Sequence, residues 1–263
     1  MIRALYSAAS GMSAQELNVD NISNNLANAN TAGYKMRRAQ FQDLIYQNMI
    51  QPGAASGQQT TIPAGLQLGL GTRAASNEII FTQGTFAQTN NPLDLAIQGN
   101  GFFQILQPNG TLAYTRAGTF QLDRNGNMVT ANGDLLQPQI TIPSNAQTIT
   151  IAQDGTVSFT LPNQTTAQKA GQIQLALFQN PAGLNSIGNN LYTTTEASGD
   201  PQIAAPGSAE GLGTVMQGYT EQSNVDVVAE FVNLIQSQRA YEANSRVVKA
   251  ADEMYQTVNQ LAQ

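Results

Sequence analysis

Both ends of the chain carry a stripe of apolar residues at the three-and-four spacing of an amphipathic helix. One stripe runs through residues 1–31 and the other through residues 225–262, whereas the long middle has no helical period. The stripe residues are Leu5, Ala8, Met12, Val19, Ile22, Leu26 and Ala29, then Val227, Phe231, Leu234, Tyr241, Val248, Tyr255 and Ala262. Helices at both ends bring the termini together, so we predict that they pack as a coiled-coil-like pair.

The first helix is predicted from about Arg3 to Asn30, with Gly33 as its C-cap. The second begins after the polar residues 223–226, which can cap its N-terminus. An amide stripe lies beside the first apolar stripe, and it comprises Asn18, Asn21, Asn25 and Asn28. The amides form either a solvated polar face or an interchain contact that fixes register.

We predict an assembly interface from the two apolar stripes and the amides together. It comprises Leu5, Met12, Asn18, Val19, Asn21, Ile22, Asn25, Leu26, Asn28, Val227, Phe231, Leu234, Tyr241, Val248 and Tyr255.

The middle of the chain has the turn chemistry of a β domain. Asn-Gly or Asp-Gly pairs end at Gly101, Gly110, Gly126, Gly133 and Gly155, and such pairs favour tight hairpins. Strand-like runs lie near them, at residues 93–97, 102–106, 119–122, 148–151 and 173–178. The predicted fold class is therefore α+β, with long terminal helices, an extended linker segment and a central, mostly antiparallel β domain.

The predicted domain boundaries follow the changes in composition. Residues 36–50 have weak helical character, and residues 51–75 are too rich in Gly, Pro and Ala for a regular helix. We predict a helical domain of residues 1–35 and 224–263, a linker of residues 36–75 and 210–223, and a β-rich domain of residues 76–209.

Enzyme chemistry is restricted by composition. The chain has no Cys and no His, which excludes a histidine base, a thiol nucleophile and a Cys or His metal site. Carboxylates remain, but the candidates Asp94, Asp123, Asp134 and Asp154 all lie in or beside turns, where Asp is commonly structural. Residues 123–127 resemble the start of a calcium loop, but Met128 occupies its glycine position. We predict no catalytic residues, no metal and no cofactor.

Charge and hydropathy indicate which partners and which cellular location to expect. The charged fraction is 11% and the net charge is −6, so we expect no nucleic-acid partner. No apolar run reaches the roughly 20 residues of a membrane span, and residues 1–12 do not form a secretory signal. The composition is nevertheless typical of exported bacterial surface proteins. Export without a cleaved signal and without membrane insertion would reconcile these observations.

Several long motifs resemble the bacterial flagellar rod and hook proteins. Residues 24–35 (NNLANANTAGYK) are similar to the family signature, with Ala32 where many relatives carry Pro or Thr. The start of the chain and the segment around residues 239–254 resemble the distal rod members in particular. The other matching motifs are residues 1–6 (MIRALY), 8–12 (AASGM), 91–97 (NPLDLAI), 99–103 (GNGFF), 239–245 (RAYEANS) and 251–254 (ADEM).

The resemblance implies a structural subunit of the distal rod in the flagellar basal body, exported by the flagellar type III apparatus. Such a subunit would polymerise through its terminal helices into a straight, rigid helical tube that transmits torque to the hook. The implied partners are further copies of the chain, proximal rod proteins, the hook protein or hook–rod junction, and the surrounding bushing rings. In the family, an insertion like residues 46–65 distinguishes the straight rod from the curved hook.

Two alternatives remain at this stage. The chain could be a hook or proximal rod subunit of the same family. It could instead be a secreted, carboxylate-dependent glycan hydrolase, which would need two carboxylates at a set separation.

Overall fold

A computed structural model describes residues 2–53, 63–162, 164, 166–208 and 211–261. The chain forms two compact units. The helical unit takes both ends of the chain and the segment Arg37–Ile79, and the β unit takes Asn28–Met36 and Ile80–Val225. Among the described residues, neither α-helix combines the length and apolarity that a membrane crossing requires.

Two long helices dominate the helical unit. Helix α1 spans Ile2–Ala27 and helix α2 spans Val227–Leu261, so they are about 39 and 52 Å long. The predicted cap of α2 is confirmed, because Asp226 Oδ1 accepts hydrogen bonds from the backbone N–H of Val228 and Ala229 at 2.9 and 3.2 Å. The predicted C-cap of α1 is wrong: Gly33 takes a positive φ of 72°, but in a turn beyond the end of the helix.

Two antiparallel strand pairs complete the helical unit. Strand β1 (Arg37–Asp43) pairs with β4 (Thr72–Ile79), and β2 (Tyr46–Ile50) pairs with β3 (Leu66–Gly69). The weak helical character predicted for residues 36–50 is therefore wrong, and the predicted linker or extended segment contains paired strands. Each strand pairs with a segment about 20 to 40 residues away, a partner that local periodicity does not reveal. Residues 54–62 of the predicted linker lie outside the described residues.

The remaining strands belong to the β unit. They are β5 (Phe86–Gln88), β6 (Leu95–Gln98), β7 (Phe102–Leu106), β8 (Leu112–Thr115), β9 (Gln121–Leu122), β10 (Met128–Val129), β11 (Leu135–Gln137), β12 (Thr148–Ile151), β13 (Thr156–Thr160), β14 (Gln168–Gln172), β15 (Leu175–Leu177), β16 (Asn185–Gly188), β17 (Leu191–Thr193), β18 (Gln202–Ala204), β19 (Thr214–Gln217) and β20 (Tyr219–Glu221). A short 3₁₀ helix, Pro181–Gly183, precedes β16. The predicted linker at residues 210–223 contains β19 and β20, which pair with β6 and β5.

The largest sheet has nine strands, and its main path is β16-β17-β8-β7-β11-β10-β9. Strand β15 pairs with β7 and β18, and β12, β13 and β14 form a separate sheet. Among the described residues, the paired strands of the β unit are antiparallel, which confirms the predicted, mostly antiparallel β domain. Its core is apolar: Leu95, Ile97, Phe103 and Ile105 are fully buried, and Phe103 meets Phe120 edge to face at 5.2 Å.

The predicted turn glycines all take positive φ, from 78° at Gly155 to 134° at Gly101. Four of them end a four-residue turn, in which the glycine N–H donates to a carbonyl three residues earlier. One example is Gly126, which donates to Asp123 at 3.0 Å. Glycine in this position fits a type I turn followed by a left-handed residue, a common connection in short hairpins.

Candidate assembly interface

Helices α1 and α2 contact each other, and polar side chains form hydrogen bonds between them. Asn18 Nδ2 donates to Ser237 Oγ at 2.8 Å, and Asn25 Nδ2 donates to Glu230 Oε2 at 3.2 Å. One heptad before Asn18, a Cβ added at Gly11 would lie 2.8 Å from Asn244 Nδ2. The contacts recur every seven residues on both helices in opposite directions, so the helices are antiparallel along this seam.

Asn25 is the most highly connected residue of this polar seam. Besides its bond to Glu230, its Nδ2 donates to the carbonyl of Arg37 at 2.8 Å, and its Oδ1 accepts from the Arg37 N–H at 2.9 Å. Only 1% of its surface is exposed. One amide therefore joins α1 to the backbone of β1 and to the first turn of α2.

Glu230 is a buried carboxylate held by amides. Asn25 and Asn233 donate to its two oxygens at 3.2 and 3.4 Å, and the residue is 5% exposed. Its position in the first turn of α2 is favourable, because a helix N-terminus stabilises negative charge.

The other amides of the predicted stripe also have contacts within the chain. Asn21 is buried, and its Oδ1 accepts from Asn77 Nδ2 of β4 at 2.8 Å. Its own Nδ2 is buried without a hydrogen-bond partner among the described residues. Asn28 Oδ1 accepts from Thr31 Oγ1 at 3.2 Å. The interpretation of the amide stripe as a solvated polar face is thus wrong for Asn21 and Asn25, which are buried. The contact of the amides with another chain stays a prediction.

The predicted interface residues differ in how deeply they are buried. Asn21, Ile22 and Asn25 are buried. The half-buried members are Leu5, Met12, Asn18, Val19, Leu26, Asn28, Leu234, Val248 and Tyr255. Val227, Phe231 and Tyr241 are exposed. The apolar stripe of α2 is thus the least covered part of the predicted interface.

The structure brings the two predicted apolar stripes together at one place. Val19 of α1 and Tyr241 of α2 line a groove of about 370 Å³, together with Glu16, Gln238 and Glu242. The groove lies beside the polar seam, since Val19 and Tyr241 are neighbours of seam residues on their own helices. This mixture of apolar and polar side chains is suited to a side chain from another helix.

Two further apolar surfaces of the helical unit are exposed. On α2 the surface begins with Val228, Phe231, Val232 and Ile235, of which Val228 is 74% and Ile235 56% exposed. In the β2–β3 pair every residue is exposed, and the pair carries an apolar group made of Tyr46, Met49, Ile50, Leu66 and Leu68. A two-stranded hairpin is marginal by itself, so this one needs a partner surface to bury its side chains.

Sequence reasoning missed a buried ion cluster in the β unit. Lys35 Nζ lies 2.6 Å from Glu221 Oε1, and Arg116 Nη2 lies 2.9 Å from Glu221 Oε2, with all three side chains at most 5% exposed. Lys35 also donates to the Thr82 carbonyl at 2.7 Å. Burial lowers the pKa of Lys35, and the charge of Glu221 opposes that shift. The only sequence signal was Lys35, the last residue of the signature at 24–35.

Carboxylates considered for catalysis accept hydrogen bonds within their own turns. Asp123 Oδ1 accepts from the N–H groups of Asn125 and Asn127 at 2.7 and 2.8 Å, and the backbone bond from Asn127 is the main cause of its lowered pKa. Asp154 Oδ1 accepts from the Thr156 N–H at 2.9 Å, which lowers its pKa in the same way. Both are turn-closing carboxylates.

Known proteins match the chain along almost its whole length. Residues 5–35 match the flagella basal body rod protein family, residues 96–159 the flagellar hook protein FlgE/F/G D1 domain, and residues 216–261 the flagellar basal body rod FlgEFG protein C-terminal family. The flagellar basal-body rod protein FlgG of Caulobacter vibrioides is 52% identical over 99% of both chains. Those of Buchnera aphidicola subsp. Acyrthosiphon pisum and Bacillus subtilis are 49% and 38% identical, over 99% and 97% of this chain and 100% and 97% of their own lengths.

These matches define a structural protein of the bacterial flagellum and not an enzyme. The chain belongs to the flagellar basal-body rod protein family, FlgG. The expectation of a structural subunit of the distal rod in the flagellar basal body is confirmed, and the glycan hydrolase alternative is wrong.

Proposed function

We propose that the chain polymerises through its terminal helices into a straight, rigid helical tube that transmits torque from the motor to the hook. In this tube, residues 1–35 and 224–263 form the inner wall, and the β-rich residues 76–209 lie outside it. A contact between unlike surfaces of successive copies generates an open helix when its rotation does not close.

The observation that supports this proposal best is the exposed apolar surface of α2. Large apolar groups in water favour association by roughly 25 cal/mol per Å² that they bury. Val228, Phe231, Val232 and Ile235 are all exposed, while the seam residues hydrogen-bond α2 to α1. The apolar side chains are therefore free to pack against another copy, and the groove beside Val19 and Tyr241 offers a complementary surface.

The other proposed partners follow from the position of this subunit in the distal rod. Further copies extend the polymer, proximal rod proteins lie at one end, and the hook protein or hook–rod junction lies at the other, with the bushing rings around the outside. We also propose that the subunit reaches this site through the flagellar type III apparatus without a cleaved signal. Neither proposal requires a cofactor, nucleic acid or membrane insertion.

The test is a charge substitution on the exposed apolar surface of α2. Ile235→Asp should abolish filament formation, because it places a charge in a contact that must exclude water. It should leave the fold intact, since Ile235 is 56% exposed. The matched control is Gln236→Asp on the neighbouring exposed position. Electron microscopy and sedimentation of both variants and the parent measure assembly, and circular dichroism checks folding. Normal filaments from Ile235→Asp would refute the proposed contact.

A further inference from the structure

We propose that Asn100 is a site of spontaneous deamidation, at which the backbone nitrogen of Gly101 converts the side-chain amide into an acid. The reaction consumes water and needs no enzyme. The site lies in the β unit. It goes beyond the proposed polymer, because the modification does not depend on how copies of the chain assemble.

The reaction joins two groups of neighbouring residues. The Gly101 nitrogen loses its proton and attacks Cγ of Asn100, so that an N–C bond forms. The Cγ–Nδ2 bond breaks, and the departing nitrogen takes up a proton and leaves as ammonia. Water then opens the resulting five-membered succinimide at either carbonyl, which gives aspartate or isoaspartate. Glycine favours this ring closure because it has no Cβ to crowd the attacking nitrogen.

The chain has four asparagine–glycine pairs, and three of them are protected by their turns. In these three, the N–H groups of Gly110, Gly126 and Gly133 donate to the carbonyl three residues earlier, at 2.9, 3.0 and 2.9 Å. Such a nitrogen must give up its hydrogen bond before it can attack. A hydrogen bond of this kind contributes about 0.5–1.5 kcal/mol, so the folded turn slows the reaction.

The Asn100–Gly101 pair lacks this protection. In the described part of the chain, the Gly101 N–H donates to no acceptor and the Asn100 side chain makes no hydrogen bond. The Asn100 side chain is also exposed, so water can reach it. Asn109 is the opposite case, because its Oδ1 accepts from the N–H and the Oγ1 of Thr111 at 3.0 and 2.7 Å. The fold therefore leaves the amide and the nucleophile free at Asn100 and restrains both at Asn109.

Isoaspartate at position 100 would disturb two contacts of the β unit. The Asn100 carbonyl accepts from the Gly213 N–H at 2.7 Å, and the Gly101 carbonyl accepts from Arg116 Nη1 at 2.7 Å. Isoaspartate adds a methylene to the main chain and so changes the spacing of these two carbonyls. Arg116 is only 4% exposed and also donates to Glu221. A buried cation that loses an acceptor is costly, so the modification weakens the ion cluster.

Peptide mapping of the full-length chain tests the site directly. Dilute subunits are incubated in mildly alkaline buffer, and chromatography with mass spectrometry resolves asparagine, aspartate and isoaspartate at each position. We expect Asn100 to be modified at least about fivefold faster than Asn125 or Asn132, as the loss of one protecting hydrogen bond implies. Asn109 should be the slowest of the four.

The same incubation in guanidinium chloride is the control for sequence effects. Without the folded turns, the four rates should converge. A rate at Asn100 no higher than at Asn125 in the folded chain would overturn the proposal. The same rate ratio in the folded and the denatured chain would overturn it as well, because the fold would then have no part in selecting the site.

Two glutamine variants test the effect on the β unit. Asn100→Gln should stop the reaction at position 100, because the longer side chain would have to close a six-membered ring. Asn109→Gln, at an exposed turn, is the matched control and should react at Asn100 as the parent does. After incubation, thermal unfolding should shift to lower temperature in the parent and in Asn109→Gln but not in Asn100→Gln. An equal shift in all three chains would contradict the assigned effect on Arg116.

Discussion

The two units of this chain distribute their apolar and polar residues in opposite ways. The β unit buries Leu95, Ile97, Phe103 and Ile105 completely. The helical unit buries Asn25, Glu230 and Ser237 between its helices, and it exposes many of its large apolar side chains. Among the described residues, only four exposed large apolar groups belong to the β unit, namely Leu112, Leu122, Ile187 and Ile203.

This difference separates two tasks. The β unit satisfies its hydrophobic burial within one chain, as an independently folding domain does. The helical unit leaves many large apolar side chains exposed within one chain. Exposed apolar surface of this extent marks a protein interaction site. The polar seam can hold the helices in place while the exposed apolar surface of α2 remains available to another copy.

The largest expected effect comes from breaking the buried charges of the β unit. Glu221→Ala leaves Lys35 and Arg116 buried without their carboxylate. It should lower the free energy of unfolding by about 3–5 kcal/mol. Glu78→Ala is the control, because the side chains of the Arg38–Glu78 pair are 61% and 35% exposed, and it should cost less than about 1 kcal/mol. Urea titration followed by circular dichroism measures both. Equal losses would mean that the cluster does not stabilise the β unit.

A smaller effect compares two buried amides of the helical unit. Asn25→Ala removes bonds to Arg37 and Glu230 and should lower the free energy of unfolding by about 1–3 kcal/mol. Asn21→Ala removes one bond to Asn77 and also a buried donor that lacks a partner among the described residues. It should therefore cost less than Asn25→Ala.

The measurement for these amides is the urea dependence of helix content in dilute subunits. A larger loss in the free energy of unfolding for Asn21→Ala than for Asn25→Ala would show that the hydrogen bonds of Asn25 are not the more stabilising ones.

The smallest effect on assembly is expected from the β2–β3 hairpin. Deletion of residues 46–65 should preserve filaments, because it spares α1 and α2, and should lower their bending stiffness by removing exposed apolar contacts such as Tyr46 and Ile50. Filament curvature in electron micrographs, compared with the parent, measures the change. Filaments as straight as the parent would remove the stiffening role, and loss of assembly would move the hairpin into the polymer core.

The sequence predicted those parts of the fold that local patterns determine. Apolar periodicity located both helices, the Asp226 cap marked the start of α2, and glycines such as Gly126 marked the turns. It missed β1 and β4 because their pairing joins segments about 35 residues apart. Strand formation there depends on the partner more than on local propensity.

The candidate interface was predictable only in part for a related reason. Apolar stripes are visible in the sequence, and the structure does bring Val19 and Tyr241 to one groove. The hydrogen bonds that join the two helices within the chain come from polar residues, however, and Ser237 and Glu230 resemble ordinary surface residues of α2 in the sequence. The ion cluster joins positions 35, 116 and 221, and no local pattern links them.

The central claim is that the apolar surface of α2 is exposed in the subunit and buried in the polymer. Single cysteines test it in a chain that has no other thiol. Ile235→Cys should react rapidly with a maleimide in the dilute subunit and at least about tenfold more slowly in filaments, because the position then lies in a dry contact. Asn109→Cys, at an exposed turn of the β unit, should react equally in both states. Unchanged reactivity of the cysteine at position 235 after polymerisation would contradict the account.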